Sequence, residues 1–189
     1  MKAFILYAED QNIERTKELL IKEWSKDTTR LDILQDVAKI FYLQEDYDSA
    51  FHYYKKLVEA RDRNSLDIYA QENIKVGVVY EKLGLNDRAA EFFQSFGEYC
   101  ERDESIYQSA SMAVKYAHEG ETDQAIEQLK VFAEQGNYQY WIVLFLEMDP
   151  LIKSLKNHPE FDETIQKIKD RFWEDHQKLK QSLEEKGLI

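Results

Sequence analysis

Residues 76–96 read VGVVYEKLGLNDRAAEFFQSF, and residues 112–132 read MAVKYAHEGETDQAIEQLKVF. In each stretch a large apolar residue is followed by a short polar turn, a small residue and then an aromatic or aliphatic residue. The same pattern occurs twice more towards the N terminus. A period in the middle thirties is typical of stacked helical hairpins, none of which buries its apolar face alone. The small residues that mark the period lie 34, 39 and 36 residues apart, at Thr16, Ala50, Ala89 and Ala125.

Helical spacing supports the hairpin interpretation. Apolar residues recur every three to four positions on both sides of each turn, which predicts a helix on each side. Gly84 and Gly120 stand where a left-handed residue closes a helix. Small residues such as Gly77 and Ala89 allow two helices to cross closely. Because one spacing exceeds 34 by five residues, we expect an extra turn on a helix that begins near Ser65 and runs to Leu83.

On these residues the chain resembles the tetratricopeptide repeat family. The resemblance implies an all-α fold, a right-handed superhelix of antiparallel helix hairpins. The chain departs from the family pattern at Asn73 and Ser109, where a large apolar residue is usual. These two helix starts are therefore expected to pack less well. The first helix, Lys2 to about Glu9, is either a stunted cap or the mark of a chain cut from something longer. The expected repeats are residues 1–139, divided at about 1–30 (truncated), 31–64, 65–103 and 104–139.

Residues 140–189 leave the repeat pattern. Trp141 to Phe145 predicts a short helix, and Asp149-Pro150 predicts another with proline in its first turn. From Phe161 an apolar seam predicts one long helix to about Gly187. This segment resembles the end of tetratricopeptide tails on bacterial signalling and regulatory proteins. Two roles stay open for the long helix: capping the last hairpin, or protruding beyond Trp173 to pair with a twin or a partner.

Net charge and the length of the apolar runs limit the kinds of partner that the chain can bind. The formal net charge of −12 disfavours binding to nucleic acid or to anionic lipid, which need clustered Lys and Arg. The apolar runs are too short to cross a membrane. Cys100, the single cysteine, is expected to be a small core residue. The sequence therefore predicts a cytoplasmic protein that binds no nucleic acid and no membrane.

No residue pattern indicates catalysis. The four histidines are scattered, and none stands at metal-ligand spacing from another His or Cys. Phosphate-binding glycine loops and nucleophile elbows are missing from the sequence. We predict a protein that is not an enzyme, with no cofactor, no metal and no catalytic residue.

The family resemblance implies a concave groove lined by the first helix of each hairpin. Ile74, Val78 and Val114 would form an apolar floor in it, which suggests a binding surface for a peptide or helix of a partner protein. The long terminal helix or the Trp141 segment could equally cover this floor. The lysine and asparagine clamp with which some family members hold a terminal carboxylate is missing. The predicted groove residues are Gln35, Lys39, Tyr42, Gln71, Ile74, Val78, Glu81, Lys82, Ala110, Val114 and His118.

Two functions therefore stay open. The first is a non-catalytic adaptor or scaffold that binds a partner protein in the groove. The alternative is a structural or dimerising C-terminal region of a larger bacterial regulatory protein, acting as a homodimer through the last helix.

Overall fold

The computed structural model describes residues 2–189, except for the side chain of Lys2; Met1, in the first predicted repeat, lies outside the described residues. Over this range the chain forms α-helices and two short 3₁₀ turns and contains no strand, so the prediction of an all-α fold is confirmed. The helices are α1 (Lys2–Asp10), α2 (Ile13–Lys26), α3 (Leu31–Leu43), α4 (Tyr47–Asn64), α5 (Asn73–Lys82), α6 (Asn86–Arg102), α7 (Gln108–Glu119), α8 (Thr122–Ala133), α9 (Tyr140–Phe145), α10 (Pro150–Lys153) and α11 (Phe161–Glu185).

The chain divides into two compact units. Unit 1 ends at Tyr99, and unit 2 is Cys100–Ile189, so the division falls inside α6. In unit 1 α1 packs on α2, α2 on α3, and α3 on α4. Side-chain caps begin two of these helices: Asn12 accepts a hydrogen bond from the Arg15 amide, and Asp46 accepts one from the Ser49 amide.

The small residue at Gly77 has the packing role that its place in the repeat predicts. A Cβ atom at this position would lie 2.4 Å from Cε1 of Phe93, closer than any normal contact. The polar helix start beside it is also packed rather than loose. Asn73 is buried, accepts a hydrogen bond from Arg61 at 2.9 Å and donates one to Ser95 at 2.9 Å. Asn73 therefore replaces the usual apolar contact with a satisfied polar one.

The predicted extension of α5 is wrong. Ser65 is left-handed and ends α4, and residues 66–69 are not helical. Tyr69 is left-handed as well, with a φ of 58°, and a 3₁₀ turn at Ala70–Glu72 then leads into α5. The five extra residues of the repeat thus form a connecting segment. This segment places Glu72 in the interior of unit 1, which a continuous helix was not expected to do.

Unit 2 contains the clearest hairpin. Helices α7 and α8 pack along their length, and Gly120 between them has a φ of 78°, as predicted for a left-handed closing residue. Cys100 is fully buried, so the prediction of a core cysteine is confirmed. Burial raises the pKa of its thiol to about 12, which leaves it uncharged and unreactive at neutral pH.

The three tail helices begin where the sequence predicts. Asp149 caps α10 by accepting a hydrogen bond from the Leu151 amide, with Pro150 in the first turn. Helix α11 has 25 residues and packs on α8. Phe161, Ile165 and Ile168 on its first half are buried in the core of unit 2. The first half of α11 therefore caps the α7–α8 hairpin, as one of the two predicted roles requires.

Candidate protein-interaction site

The predicted groove residues of unit 1 are mostly interior. Ile74 is 2% exposed and Val78 is 4% exposed, so these two side chains are not the solvent-open apolar floor that the groove prediction requires. Gln35 and Tyr42 are buried as well. The remaining predicted members are polar: Lys39 is half-buried, and Gln71, Glu81 and Lys82 are exposed. The binding role of these residues stays a prediction.

Lys39 belongs to an ionic cluster that the sequence did not predict. Its Nζ lies 3.5 Å from Glu72 Oε1 and 3.5 Å from Asp36 Oδ1. Lys75 Nζ lies 3.7 Å from Glu72 Oε1, and the Tyr54 hydroxyl donates a hydrogen bond of 2.9 Å to Glu72 Oε2. Glu72 is buried at the centre of these contacts. The cluster thus contains two carboxyl groups and two ammonium groups, arranged around the buried Glu72.

The two carboxylates of this cluster differ in their protonation preference. Burial pushes the pKa of Glu72 upwards, but the charges of Lys39 and Lys75 and the hydrogen bond from Tyr54 outweigh it, so the pKa lies below its usual value. For Asp36 burial is the larger effect, and the nearby Glu72 charge adds to it, so the pKa is raised despite Lys39. The structure therefore favours an ionised Glu72 and disfavours an ionised Asp36.

A cation–π contact and a ring contact link two predicted groove residues, Tyr42 and Lys82, through Tyr47. The ammonium group of Lys82 lies 5.9 Å from the ring centroid of Tyr47, and that ring meets Tyr42 edge-on at 6.4 Å. The predicted members Tyr42 and Lys82 are thus brought close together by Tyr47, which the sequence did not single out.

In unit 2 the three predicted groove residues lie on α7. Ala110 is buried and Val114 packs against the core. His118 is half-buried. Helix α10 lies against α7, the helix that carries all three residues. The structure thus brings these three together on one helix, where the short tail helix packs on it.

The large exposed aromatic residues of unit 2 belong to one network of ring contacts. Trp141 is 45% exposed, Trp173 is 48% exposed, and Tyr140 and His176 are also exposed. Their rings are linked: Tyr140 stacks on Phe172 at 5.3 Å and meets Trp173 at 5.9 Å, and Trp173 meets His176 at 5.6 Å. We call this set the aromatic surface; its members are Tyr107, Tyr140, Trp141, Phe172, Trp173 and His176.

Buried rings hold the aromatic surface in place. Trp141 stacks on Tyr107 at 5.6 Å, and Tyr107 contacts the buried Phe132. Phe132 in turn contacts the buried Tyr138, which stacks on Phe172. The exposed rings therefore rest on a continuous network of aromatic contacts anchored in the core of unit 2.

Hydrogen bonds fix the segment between α8 and α9 that carries part of this network. The Tyr138 hydroxyl donates to the Ile168 carbonyl, and burial raises the pKa of Tyr138 to about 12, so the phenol stays protonated as the donor. The Asn137 amide donates to Asp175 at 3.1 Å, and the Gln139 amide donates to the Tyr107 hydroxyl at 2.9 Å. The aromatic surface is thus preorganised rather than loosely attached.

Helix α11 continues beyond this surface. After Asp175 it runs ten more residues to Glu185, a length of about 15 Å. Most side chains in this stretch are exposed, and Leu179 is 58% exposed. We call residues 176–185 the overhang. Its exposed leucine lies six residues after Trp173 on the same helix.

Sequence reasoning missed Tyr140, Phe172 and Trp173 as site residues. Local sequence provides no signal for them, because adjacent aromatic residues of one helix can both be buried, as Phe41 and Tyr42 of α3 are. The outward direction of Trp173 and the position of Tyr140 beside it depend on how α9 packs on α11, and local spacing does not encode that packing.

The polar groups of unit 2 act as structural supports. His158 Nε2 lies 3.3 Å from Asp123, and its Nδ1 accepts a hydrogen bond from the Glu160 amide, so both ring nitrogens hold the turn before α11. Within residues 2–189 no group of three or more His, Cys, Asp or Glu side chains is placed to hold a metal ion. None of the helices in this range combines the length and the apolarity that crossing a bilayer requires.

No protein-family model matches the chain, and no curated protein matches it either.

Proposed function

We propose that this chain is a non-catalytic protein–protein interaction module. The observation that carries the proposal is the aromatic surface of unit 2. Its exposed members Trp141 and Trp173 stand on rings anchored in a packed core. Trp and Tyr are enriched among the residues that dominate binding energy, because they bury a large apolar area with little loss of conformational freedom. An exposed apolar patch on a rigid support is typical of such an interface.

The tetratricopeptide resemblance supports the same class of function. Under this proposal the hairpins stack as a right-handed superhelix that holds a peptide or helix of a partner. The accessible groove members of unit 1, namely Lys39, Gln71, Glu81 and Lys82, would supply polar contacts that set its register. Because Ile74 and Val78 are buried, they are not assigned to this contact, and the aromatic surface of unit 2 is proposed as an apolar contact of its own. The single, buried Cys100 is compatible with the reducing conditions of the cytoplasm, where we place the module.

The experiment is photo-cross-linking in the native cell. A photoreactive phenylalanine replaces Trp173 in one variant and the exposed polar Gln124 of α8 in a matched control. The proposal predicts a cross-linked protein of defined mass at position 173 that is missing at position 124. Equal, diffuse labelling at both positions would overturn it.

A second candidate, the structural or dimerising role, is favoured by one specific observation. The overhang of α11 presents Leu179 to solvent beyond the part of the helix that caps the hairpin. Capping accounts for the first half of this helix and leaves the second half for another contact.

A further inference from the structure

We propose that the face of α11 around Trp173 binds an arginine side chain of the partner protein. This inference rests on the proposed interaction function and names the chemistry by which the partner is recognised. Three features of the helix support it: an open groove beside Trp173, two carboxylates in that groove that have no cationic partner, and an acidic helix face around them.

The groove lies on one flank of the Trp173 ring. It is open to solvent, has a volume of about 590 Å³ and is lined by Asp170, Trp173, Glu174, Gln177 and Lys178. Successive residues of an α-helix are rotated by about 100°, so Phe172 and His176 project from the other flank of Trp173. Their rings meet the Trp173 ring nearly at right angles, with centroids at 5.1 and 5.6 Å. The indole is thus held by rings on one flank and accessible from the groove on the other.

The two carboxylates of the groove have no cationic partner within the described residues 2–189. Asp170 accepts one hydrogen bond, from the side-chain amide of Gln166 at 2.8 Å. Glu174 makes neither an ion pair nor a hydrogen bond in the same range. Lys178, on the far edge of the groove, lies 3.4 Å from Asp175 Oδ1, a carboxylate outside the groove. Both groove carboxylates are therefore available to a cation of a ligand.

The helix face that carries the groove is acidic along its length. An arc of about 100° that runs from Trp173 past Asp170 to Glu174 contains Glu163 and Glu184 as well, together with glutamines. All lysine and arginine residues of α11 project outside this arc. A face with charges of one sign complements a partner of the opposite sign.

The combination of an indole with two carboxylates favours arginine over lysine. A guanidinium group is planar, stacks on the face of an aromatic ring and donates several hydrogen bonds from its edge to carboxylates. Asp170 and Glu174 are one helical turn apart, with Cβ atoms about 6 Å from each other, and Trp173 adjoins both. One guanidinium group on the indole therefore reaches both carboxylates, whereas the compact ammonium group of lysine has no planar edge to span them.

A nuclear magnetic resonance titration tests the site with arginine alone. The probe is N-acetyl-arginine amide, and N-acetyl-citrulline amide is its control, because citrulline has nearly the same shape without the charge. The indole N–H signal of Trp173 should shift to saturation with a dissociation constant of about 1–10 mM. The signal of Trp141, which is 45% exposed, should move little.

The comparison of probes decides the chemistry. The citrulline probe should bind at least about tenfold more weakly than the arginine probe, and N-acetyl-lysine amide at least about threefold more weakly. A shift of Trp173 that does not saturate would overturn the site, and so would equal binding of the three probes.

Removal of the carboxylates tests their part in the site. Asp170→Asn combined with Glu174→Gln should weaken binding of N-acetyl-arginine amide about tenfold. Glu184→Gln combined with Glu185→Gln is the matched control, because it removes the same charge about 17 Å further along the helix from Trp173. All four acidic side chains are exposed, so both variants should remain folded. Equal weakening in the two variants would show attraction to the overall charge of −12 and would overturn the site.

Photo-cross-linking in cells separates this inference from the proposed function. A photoreactive phenylalanine at Gln177 leaves Trp173 and both carboxylates in place. A product at this position that is lost in the Asp170→Asn, Glu174→Gln background supports recognition of arginine. A product that persists in that background would refute it and leave the interaction function standing. Saturable binding of the arginine probe without any product at positions 173 and 177 would instead contradict the interaction function and keep the arginine site.

Discussion

The two units of this chain use their unusual residues in opposite ways. Unit 1 encloses polar groups: Glu72 is buried among Lys39, Lys75 and Tyr54, and its apolar residues Ile74 and Val78 are covered. Unit 2 leaves large aromatic residues in water, although its core contains Phe132 and Tyr138 close beneath them. Unit 1 thus pairs its buried charged groups with one another, whereas unit 2 leaves apolar area of its aromatic side chains exposed to water. This difference is why we assign binding to unit 2.

The largest expected effect concerns the support of the aromatic surface. Phe132→Ala should lower the free energy of unfolding by about 3–5 kcal/mol, because the ring is fully buried and its loss leaves a cavity beneath Tyr107 and Tyr138. Urea unfolding followed by circular dichroism measures this loss. A change below about 1 kcal/mol would mean that the surface is not anchored in the core.

The second-largest expected effect on the free energy of unfolding is at the ionic cluster of unit 1. Glu72→Ala leaves Lys39 and Lys75 without their shared partner and the Tyr54 hydroxyl without its acceptor, so we expect a loss of about 3 kcal/mol. Glu59→Ala is the control, because its ion pair with Lys55 is exposed and 4.0 Å long and should contribute about 0.5 kcal/mol or less. If urea unfolding showed the same loss of stability for Glu72→Ala and Glu59→Ala, the buried ion pairs would contribute no more than the exposed one.

The close approach at Gly77 gives a smaller effect. Gly77→Ala should destabilise the chain by about 1–2 kcal/mol, because the new Cβ atom would overlap the Phe93 ring. An alanine normally stabilises a helix relative to glycine, so the sign of the change is informative. Thermal unfolding of the variant checks it, and a rise in melting temperature would show that Phe93 moves aside at little cost.

The pH dependence of the free energy of unfolding should distinguish the two carboxyl groups of unit 1, Glu72 and Asp36. The pKa of Glu72 is lowered in the folded chain, so its stabilisation is present above the ordinary carboxyl pKa and is lost as pH falls through the lowered value. The pKa of Asp36 is raised, so its ionisation costs stability at neutral pH. Glu72→Gln should therefore destabilise the chain at pH 7 and converge on wild type in acid.

Asp36→Asn is the matched variant for that experiment. It should leave stability at pH 7 unchanged or slightly higher, because it removes the carboxylate whose ionisation burial disfavours. Urea unfolding across the acid range measures both variants. If the free energy of unfolding changed with pH in the same way in both variants, the two carboxyl groups would not differ in the way their surroundings indicate.

The smallest expected effect is at the aromatic surface itself. Trp173→Ala should change the free energy of unfolding by less than about 1 kcal/mol, because nearly half of the side chain already lies in water. The same variant should lose the photo-cross-linked partner when the probe is moved to position 179. Loss of folding would instead identify Trp173 as a core residue.

Much of the fold follows from local sequence signals. The turns at Gly84 and Gly120, the proline at the start of α10 and the seam of α11 each act through neighbouring residues, and each was predictable. The segment between Ser65 and Glu72 was not, because its left-handed residues are Ser and Tyr, which carry no turn signal. Local spacing therefore describes helix positions better than it describes connections.

The site was harder to predict than the fold. Helical spacing placed Ile74 and Val78 in one helix, and α5 contains both, but spacing does not reveal whether another part of the fold covers them. The direction of Trp173 and the burial of Glu72 depend on contacts between residues far apart in the chain. Such contacts decide which apolar and charged residues remain available to a partner.

The most direct test of the central claim is hydroxyl-radical footprinting of Trp141 and Trp173 in intact cells and in dilute purified protein. The exposed Leu85 of unit 1 serves as the internal reference. We predict that both tryptophans are oxidised readily in the dilute chain and are protected in cells, while labelling of Leu85 is the same in both. Equal oxidation of the tryptophans in the two samples would contradict a binding role for the aromatic surface.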